Sequence, residues 1–212
     1  MISSIGFIHT ASMHVATFEQ LVGEIQPNCT VEHVVMPTLL EQARQEGLTS
    51  AISQQLTQII KQLQANGVER IVCTCSTLGG LAETLDPTVI RVDRAMAEQA
   101  IATGSRIAVV AALTSTLEPT YALLNAIAQH QAKTIEIRDY CCLDAWKSFL
   151  ANDQASYLQQ IAIVLETIDQ VDVIVLAQAS MAGAIQLCQQ NIPILSSPRI
   201  AIEALFKPKQ AA

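Results

Sequence analysis

The chain has 212 residues, enough to bury a substantial core as one domain or as two of about 100 residues each. Half of its residues are hydrophobic and only 15% are charged, which excludes a disordered chain. The formal net charge is −7 and the 12 Lys and Arg residues form no basic stripe, so nucleic acid is not an expected partner.

The opening segment, Met1 to His9, lacks a basic leader and runs into His9, Thr10 and His14; it reads as a buried strand, not a signal peptide. No apolar run approaches the ~18 residues of a membrane span, so a cytoplasmic location without a membrane partner is expected. Six cysteines in that compartment read as free thiols. Cys73-Thr74-Cys75 lacks the two-residue gap of a zinc knuckle, and no Cys/His pair follows at a recognised spacing; no metal is expected.

Ile5 to Ile8 reads as a short strand leading into a polar turn, His9 to His14, and a helix from Ala16 to about Ile25. Val31 to Val35 is the next strand, closed by Pro37 and followed by a variable stretch. Ile52, Leu56, Ile59, Ile60 and Leu63 then recur at helical spacing between Ser50 and Asn66, with Asn66-Gly67 as the stop signal. Arg70 to Cys73 forms a strand that opens into Thr74 to Gly80. Alternation of strand and helix argues for a parallel sheet covered by helices. Pro87 to Asp93 reads as a further strand, and Ala95 to Ala102 as a helix ending near Gly104.

The second half repeats the order. Arg106 to Val110 is a strand followed by Thr114-Ser115-Thr116 and a helix through Leu124 and Ile127; Thr134 to Ile137 is a strand. Leu158, Ile161, Leu165 and Ile168 mark a helix, and Val171 to Leu176 is a strand entering Ala177 to Gly183. A late strand, Pro193 to Leu195, and a last helix, Ile200 to Phe206, complete the chain. With an offset of 102 to 103 residues Ile5 falls on Ile107, Ser12 on Thr114, Val72 on Val175, Thr77 on Ser180 and Gly80 on Gly183. The expected fold is α/β: two pseudo-symmetric three-layer domains, each a mostly parallel sheet flanked by helices. The first would span 1–94, completed by the C-terminal helix 198–212, and the second 95–197.

In open parallel sheets ligands bind beyond the carboxyl ends of strands. Four segments lie at such ends: His9 to His14, Thr74 to Gly80, Thr114 to Thr116 and Ala177 to Gly183. Two related domains facing each other would bring all four around one cleft. Cys75 is the leading reactive group. It sits between a strand and a helix, where backbone N–H groups and the helix terminus lower a thiol pKa, although a small buried cysteine would look the same in sequence. Ser76 and Thr77 could cap that helix or bind a carboxylate, and Gly79 and Gly80 allow close backbone approach. Thr114, Ser115 and Thr116 could hold an anion at a helix start or act as ordinary caps. His9 and His14 could activate a thiol or contact a carboxylate. Cys73 reads as core. Cys141 and Cys142 could reach the site from its rim or pack in the core, Arg91 and Asp93 could pair at the domain boundary, and Arg138 could offer positive charge.

Together these residues resemble the aspartate/glutamate racemase superfamily, which includes hydantoin racemases, maleate isomerases and arylmalonate decarboxylases. Cys75-Ser76-Thr77 is similar to the family's Cys-Asn-Thr at the end of a first-half strand, with Ser76 in the Asn place. Val175 to Met181 resembles the second-half motif, in which Leu-Gly-Cys is the usual run, and here Gln178 stands where the resemblance places the second cysteine. The resemblance implies a homodimer needing no cofactor, acting on a small carboxylic or dicarboxylic acid held by His9, Thr10, Ser76, Thr77, Thr114, Ser115, Thr116 and Ser180, with Cys75 and Gln178 as the catalytic pair. Racemisation by two thiols requires two groups that each give and take a proton, and glutamine cannot do so at neutral pH, though its N–H₂ can hold a carboxylate or enolate oxygen. A racemase-like isomerase, a decarboxylase with Cys75 as single proton donor, a maleate-like isomerase in which Cys75 adds to a double bond, and a non-catalytic carboxylate-binding protein all remain open at this level.

Overall fold

A computed structural model describes residues 2–207. Its chain forms two compact units: one ends at Val92 and resumes at Pro198, and the other runs from Asp93 to Ser197. Residue 1 of the expected first segment and residues 208–212 of the expected C-terminal segment lie outside the described residues.

The first unit contains β1 (Ser4–His9), α1 (Met13–Ile25), β2 (Thr30–Val35), α2 (Pro37–Glu46), α3 (Ser50–Ala65), β3 (Arg70–Cys73), α4 (Ser76–Leu85) and β4 (Val89–Arg91). The second contains α5 (Arg94–Thr103), β5 (Arg106–Ala111), a 3-10 turn (Thr114–Thr116), α6 (Leu117–His130), β6 (Glu136–Cys141), α7 (Leu143–Leu150), α8 (Gln154–Glu166), β7 (Val173–Leu176), a 3-10 helix (Ala179–Leu187) and β8 (Ile194–Ser196). The last helix, α9 (Ser197–Phe206), begins at the division between them. The two four-stranded sheets have the same topology, β2-β1-β3-β4 and β6-β5-β7-β8, and every pairing is parallel.

Parallel strands covered on both faces must be apolar throughout, and the central strands are: Ile71 to Cys73 and Val173 to Leu176 are fully buried. In the first unit Ile8, Leu39, Leu56, Leu63, Ile71, Cys73, Cys75 and Leu78 share one core; in the second, Ala108, Val110, Tyr157, Ile161, Leu165, Ile174, Leu176 and Met181 do. Each fully buried Leu, Ile or Val contributes about 1.5–3 kcal/mol.

Two helices and several boundaries differ from the sequence expectation; the last helix, for one, starts at Ser197 rather than Ile200. The variable stretch after Pro37 is α2, because proline at the first turn costs no hydrogen bond and Leu39 and Ala43 supply a narrow buried stripe. α1 starts at Met13 rather than Ala16, which puts His14 on its buried face. The strand expected over Thr134 to Ile137 lies at Glu136–Cys141, since α6 is closed by Ala132 at φ 52 and by a Lys133 N–H bond to Ala128, and the chain then needs several residues to enter the sheet. α7 is a helix of eight residues with Ala145 buried and Trp146 and Phe149 packed beside it, a stripe too short to register from spacing.

At the amino end of each sheet a carboxylate ties the third strand's entry to the first strand. Asp172 accepts from the Ser105 and Arg106 N–H groups at 2.9 and 2.8 Å and from the Arg106 guanidinium at 2.5 and 3.1 Å. These bonds, the guanidinium's foremost, hold its carboxyl well below the usual carboxylate range. Glu69 does the same for the Ser3 N–H and hydroxyl. Gly104 is needed for the first of these clamps, because a Cβ there would stand 2.3 Å from Asp172 Cβ. Gly104→Ala should therefore lower stability by about 1–3 kcal/mol. Gly23→Ala, on an exposed face of α1 with no atom within 4 Å, should raise it by about 0.5–1 kcal/mol. Urea denaturation of both variants checks the pair, and equal midpoints would remove the steric account of Gly104.

Candidate active site

Cys75 is the N-cap of α4, extended at φ −95 and ψ 112, with its carbonyl accepting from the Leu78 and Gly79 N–H groups at 3.2 and 2.7 Å. The helix can start there because Gly79 lies against Arg91: a Cβ on Gly79 would come within 2.9 Å of Arg91 Cβ. The thiol is buried, and burial raises its pKa; the Thr10 hydroxyl, the Leu78 and Thr77 N–H groups and the Thr77 hydroxyl pull the other way as hydrogen-bond partners of the sulfur. Burial prevails, so Cys75 is a protonated thiol at rest, contrary to the lowered pKa expected from its place at a helix terminus. Four donors nevertheless surround the site where a thiolate would form. Cys73 belongs to the same core and its thiol reaches the Cys75 carbonyl at 3.8 Å.

Gln178 occupies the equivalent place in the second unit. It is the N-cap of the 3-10 helix Ala179–Leu187, extended at φ −126 and ψ 135. The residue before it, Ala177, donates its N–H to Val110 O at 2.9 Å, as Thr74 donates to Ile8 O at 3.0 Å. Where Thr10 reaches across from the neighbouring strand end to Cys75, Ala112 gives its N–H to Gln178 Oε1 at 2.6 Å. Ser180 shares a 2.7 Å hydrogen bond with the Tyr157 hydroxyl, whose proton is held above its ordinary pKa by burial.

Of the other expected site residues, Thr116 is buried with its hydroxyl donated to Leu113 O at 2.6 Å, a bond within the turn; Thr114 is exposed and Ser115 half-buried in the same turn. Ser76 is buried in the first turn of α4. Cys142 packs in the second core, its thiol pushed up to about 11 by burial and by Cys141, while Cys141 is exposed. Arg138 pairs with Glu136 at 2.9 Å on the edge strand. Arg91 and Asp93 are both buried at the end of β4. Among the described residues no group of three or more His, Cys, Asp or Glu is placed to hold a metal, and no helix is long and apolar enough to cross a membrane.

His9 is fully buried with both ring nitrogens committed: Nδ1 lies 2.8 Å from the Thr74 hydroxyl and Nε2 2.8 Å from His33 Nδ1. Thr74 donates to Ile8 O at 3.2 Å, so it accepts from His9 Nδ1–H, and His9 Nε2 accepts from His33 Nδ1–H. The rings of Phe7, His9 and His33 are mutually stacked with centroids 5.1 to 5.6 Å apart, and His14 lies 6.1 Å from His9. His9 thus has no nitrogen left for a ligand and instead sets the Thr74 side chain one residue before Cys75.

The family model for Asp/Glu/hydantoin racemases matches residues 9–205. The chain belongs to this family. It is an enzyme of the racemase-family type. No curated protein matches it by sequence. Among solved structures, an aspartate racemase of Picrophilus torridus is similar at TM-score 0.71 with 19% identity, covering 97% of this chain and 93% of that one. A glutamate racemase of Bacillus anthracis is similar at 0.67 with 16% identity, over 96% and 80% of the two chains. An arylmalonate decarboxylase is similar at 0.56 with 13% identity, over 99% and 95%. At such identities the likeness concerns the fold, which is that of the racemase superfamily.

Three groups around this family member's strand ends carried no signal in sequence. His33 lies in an ordinary strand, Thr74 inside a cysteine motif, and Tyr157 in the middle of α8; each acquires its role only through a partner 23 to 65 residues away. The histidines also impose a pH dependence. Burial, then His14 and His33, lowers His9 to about 3, and burial lowers His14 to about 4, both from 6.5. Between those values and 6.5 the unfolded chain binds more protons than the folded one, so their contribution is complete above about 6.5 and is lost as pH falls towards 4 and below. The melting temperature should therefore drop between pH 6.5 and 4, and His14→Gln should flatten that drop; an unchanged acid limb in the variant would assign it elsewhere.

Proposed function

We propose that the protein is a cofactor-independent isomerase of a small carboxylic or dicarboxylic acid, with Cys75 as acid/base or nucleophile. The observation that carries this reading is the hydrogen-bonding environment of the Cys75 sulfur: a buried thiol at a strand-to-helix junction, with the Thr10 and Thr77 hydroxyls and the Thr77 and Leu78 N–H groups as its partners. Such a group can take a proton from carbon as the thiolate, which the four donors stabilise, and return it as the thiol. As a nucleophile the same thiolate would add to an activated double bond and leave again after rotation about the bond made single.

A second reading is favoured by the resting state of the thiol. Burial keeps Cys75 protonated, which suits a proton donor better than a base. Decarboxylation of a malonate-like acid needs only that. The bond to the departing carboxylate breaks, its electron pair is held as an enediolate, the Cys75 proton moves to carbon, and water restores the thiol. Gln178, at the equivalent place in the second unit, has no proton to exchange at neutral pH but can hold an anionic oxygen. The similarity in fold to a decarboxylase is compatible with this chemistry.

Incubation of the purified protein in D₂O with a panel of α-amino dicarboxylates, hydantoins, maleate and substituted malonates separates the readings. Deuterium at the α-carbon with loss of optical rotation identifies racemisation, cis-trans conversion identifies the covalent route, and release of carbon dioxide identifies decarboxylation. In each case Cys75→Ser should lower kcat by about 10²–10⁴-fold, and undiminished turnover in that variant would overturn all three.

A further inference from the structure

We infer that Gln178 is a fixed-orientation amide donor for a substrate carboxylate or enediolate oxygen, and that its side chain binds charge rather than moving protons. The inference deepens the reading of the preceding subsection and rests on the substrate being a small carboxylate.

The orientation follows from chemistry alone. The Ala112 backbone N–H can only donate, so the atom 2.6 Å from it must be the carbonyl oxygen of the Gln178 amide. The N–H₂ group is then turned to the opposite side. Among the described residues no hydrogen bond reaches Gln178 Nε2, yet that nitrogen is not one of the sealed polar atoms without a partner, so it faces accessible space. The residue as a whole is only 8% exposed. With its oxygen clamped and its two donors turned to accessible space, the amide is presented in one orientation to an acceptor that enters there.

Its surroundings add to the donor set. Gln178 directly precedes a nine-residue 3-10 helix, whose leading N–H groups, those of Ala179 and Ser180, have no carbonyl within the helix to bond. Ser180 is fixed by the buried Tyr157 hydroxyl, and with Tyr157 as donor the serine proton remains available to an acceptor. The Ala112 bond also separates Gln178 from a surface glutamine, whose rotamer freedom would be lost on binding. An anion is the ligand that matches such a set, because one Gln178 amide proton, the leading N–H groups and the Ser180 hydroxyl can each meet an oxygen of a carboxylate or enediolate.

Gln178→Glu is the decisive variant, because a glutamate oxygen still accepts from the Ala112 N–H while both donors disappear and a negative charge is added. With malonate as the probe and ¹⁵N-labelled protein, the Gln178 side-chain N–H₂ pair, assigned by its absence in Gln178→Glu, should shift saturably in the wild type. The variant should bind malonate at least ten-fold more weakly at an unchanged melting temperature. An unmoved Gln178 amide at saturating malonate, no saturable malonate binding at all, or undiminished binding by a folded Gln178→Glu protein would overturn the inference. Should Gln178→Glu fail to fold, triple-resonance spectra of the wild type assign the Gln178 amide pair and its shift with malonate decides. The outcome is separate from the Cys75 chemistry, whose failure would show as turnover surviving Cys75→Ser with the amide shift intact.

Discussion

The geometry of both strand ends depends on one repeated backbone hydrogen bond, from Thr74 N–H to Ile8 O in the first unit and from Ala177 N–H to Val110 O in the second. Each bond extends the parallel pairing of the two central strands by one step beyond the last ladder residue, so the following residue leaves the sheet at a fixed height and direction. That residue is Cys75 in one unit and Gln178 in the other. The strand beside it then supplies its nearest support, a threonine hydroxyl or a backbone N–H. A shift of register by one residue would exchange the two faces of the strand and send Thr74, not Cys75, into the core.

Around Cys75 two effects oppose each other. Desolvation penalises the thiolate, and four hydrogen-bond donors favour it. The first prevails, which leaves Cys75 a protonated thiol. Next to it, the His9–His33 pair and His14 are kept neutral by burial and by each other, so the supporting layer behind Thr74 is uncharged at neutral pH. The groups that hydrogen-bond the Cys75 sulfur are thus neutral dipoles. Such dipoles can stabilise developing charge without reorganising when it appears.

Much of this was legible in the sequence. The alternation of apolar runs and helical stripes gave the order of elements, and the offset between Val72 and Val175 gave the duplication, because buried parallel strands leave uninterrupted runs of Ile and Val. The position of Cys75 at a strand end followed from the same pattern. What sequence spacing could not supply was the balance of solvation: it suggested a thiol activated by a helix terminus, whereas the buried sulfur is held protonated. Likewise His9 looked like a ligand-facing group at a turn, but β1 runs one residue further than its apolar run and carries His9 into the sheet, where Thr74 and His33 consume it. Helices α2 and α7 were hidden for a simpler reason, since each fully buries only one or two residues.

The bond between the Ala112 N–H and Gln178 Oε1 bears on how this protein could change. A cysteine at position 178 would bring a thiol to that strand end but would leave the Ala112 N–H without its acceptor, an omission that costs about 1–3 kcal/mol for a buried group. A thiol at that place therefore takes not one substitution but at least two, the second supplying an oxygen or a different backbone path for Ala112. The glutamine is held in place by a debt that its replacement would expose, and this ties the difference between the two strand ends to the backbone around Ala112.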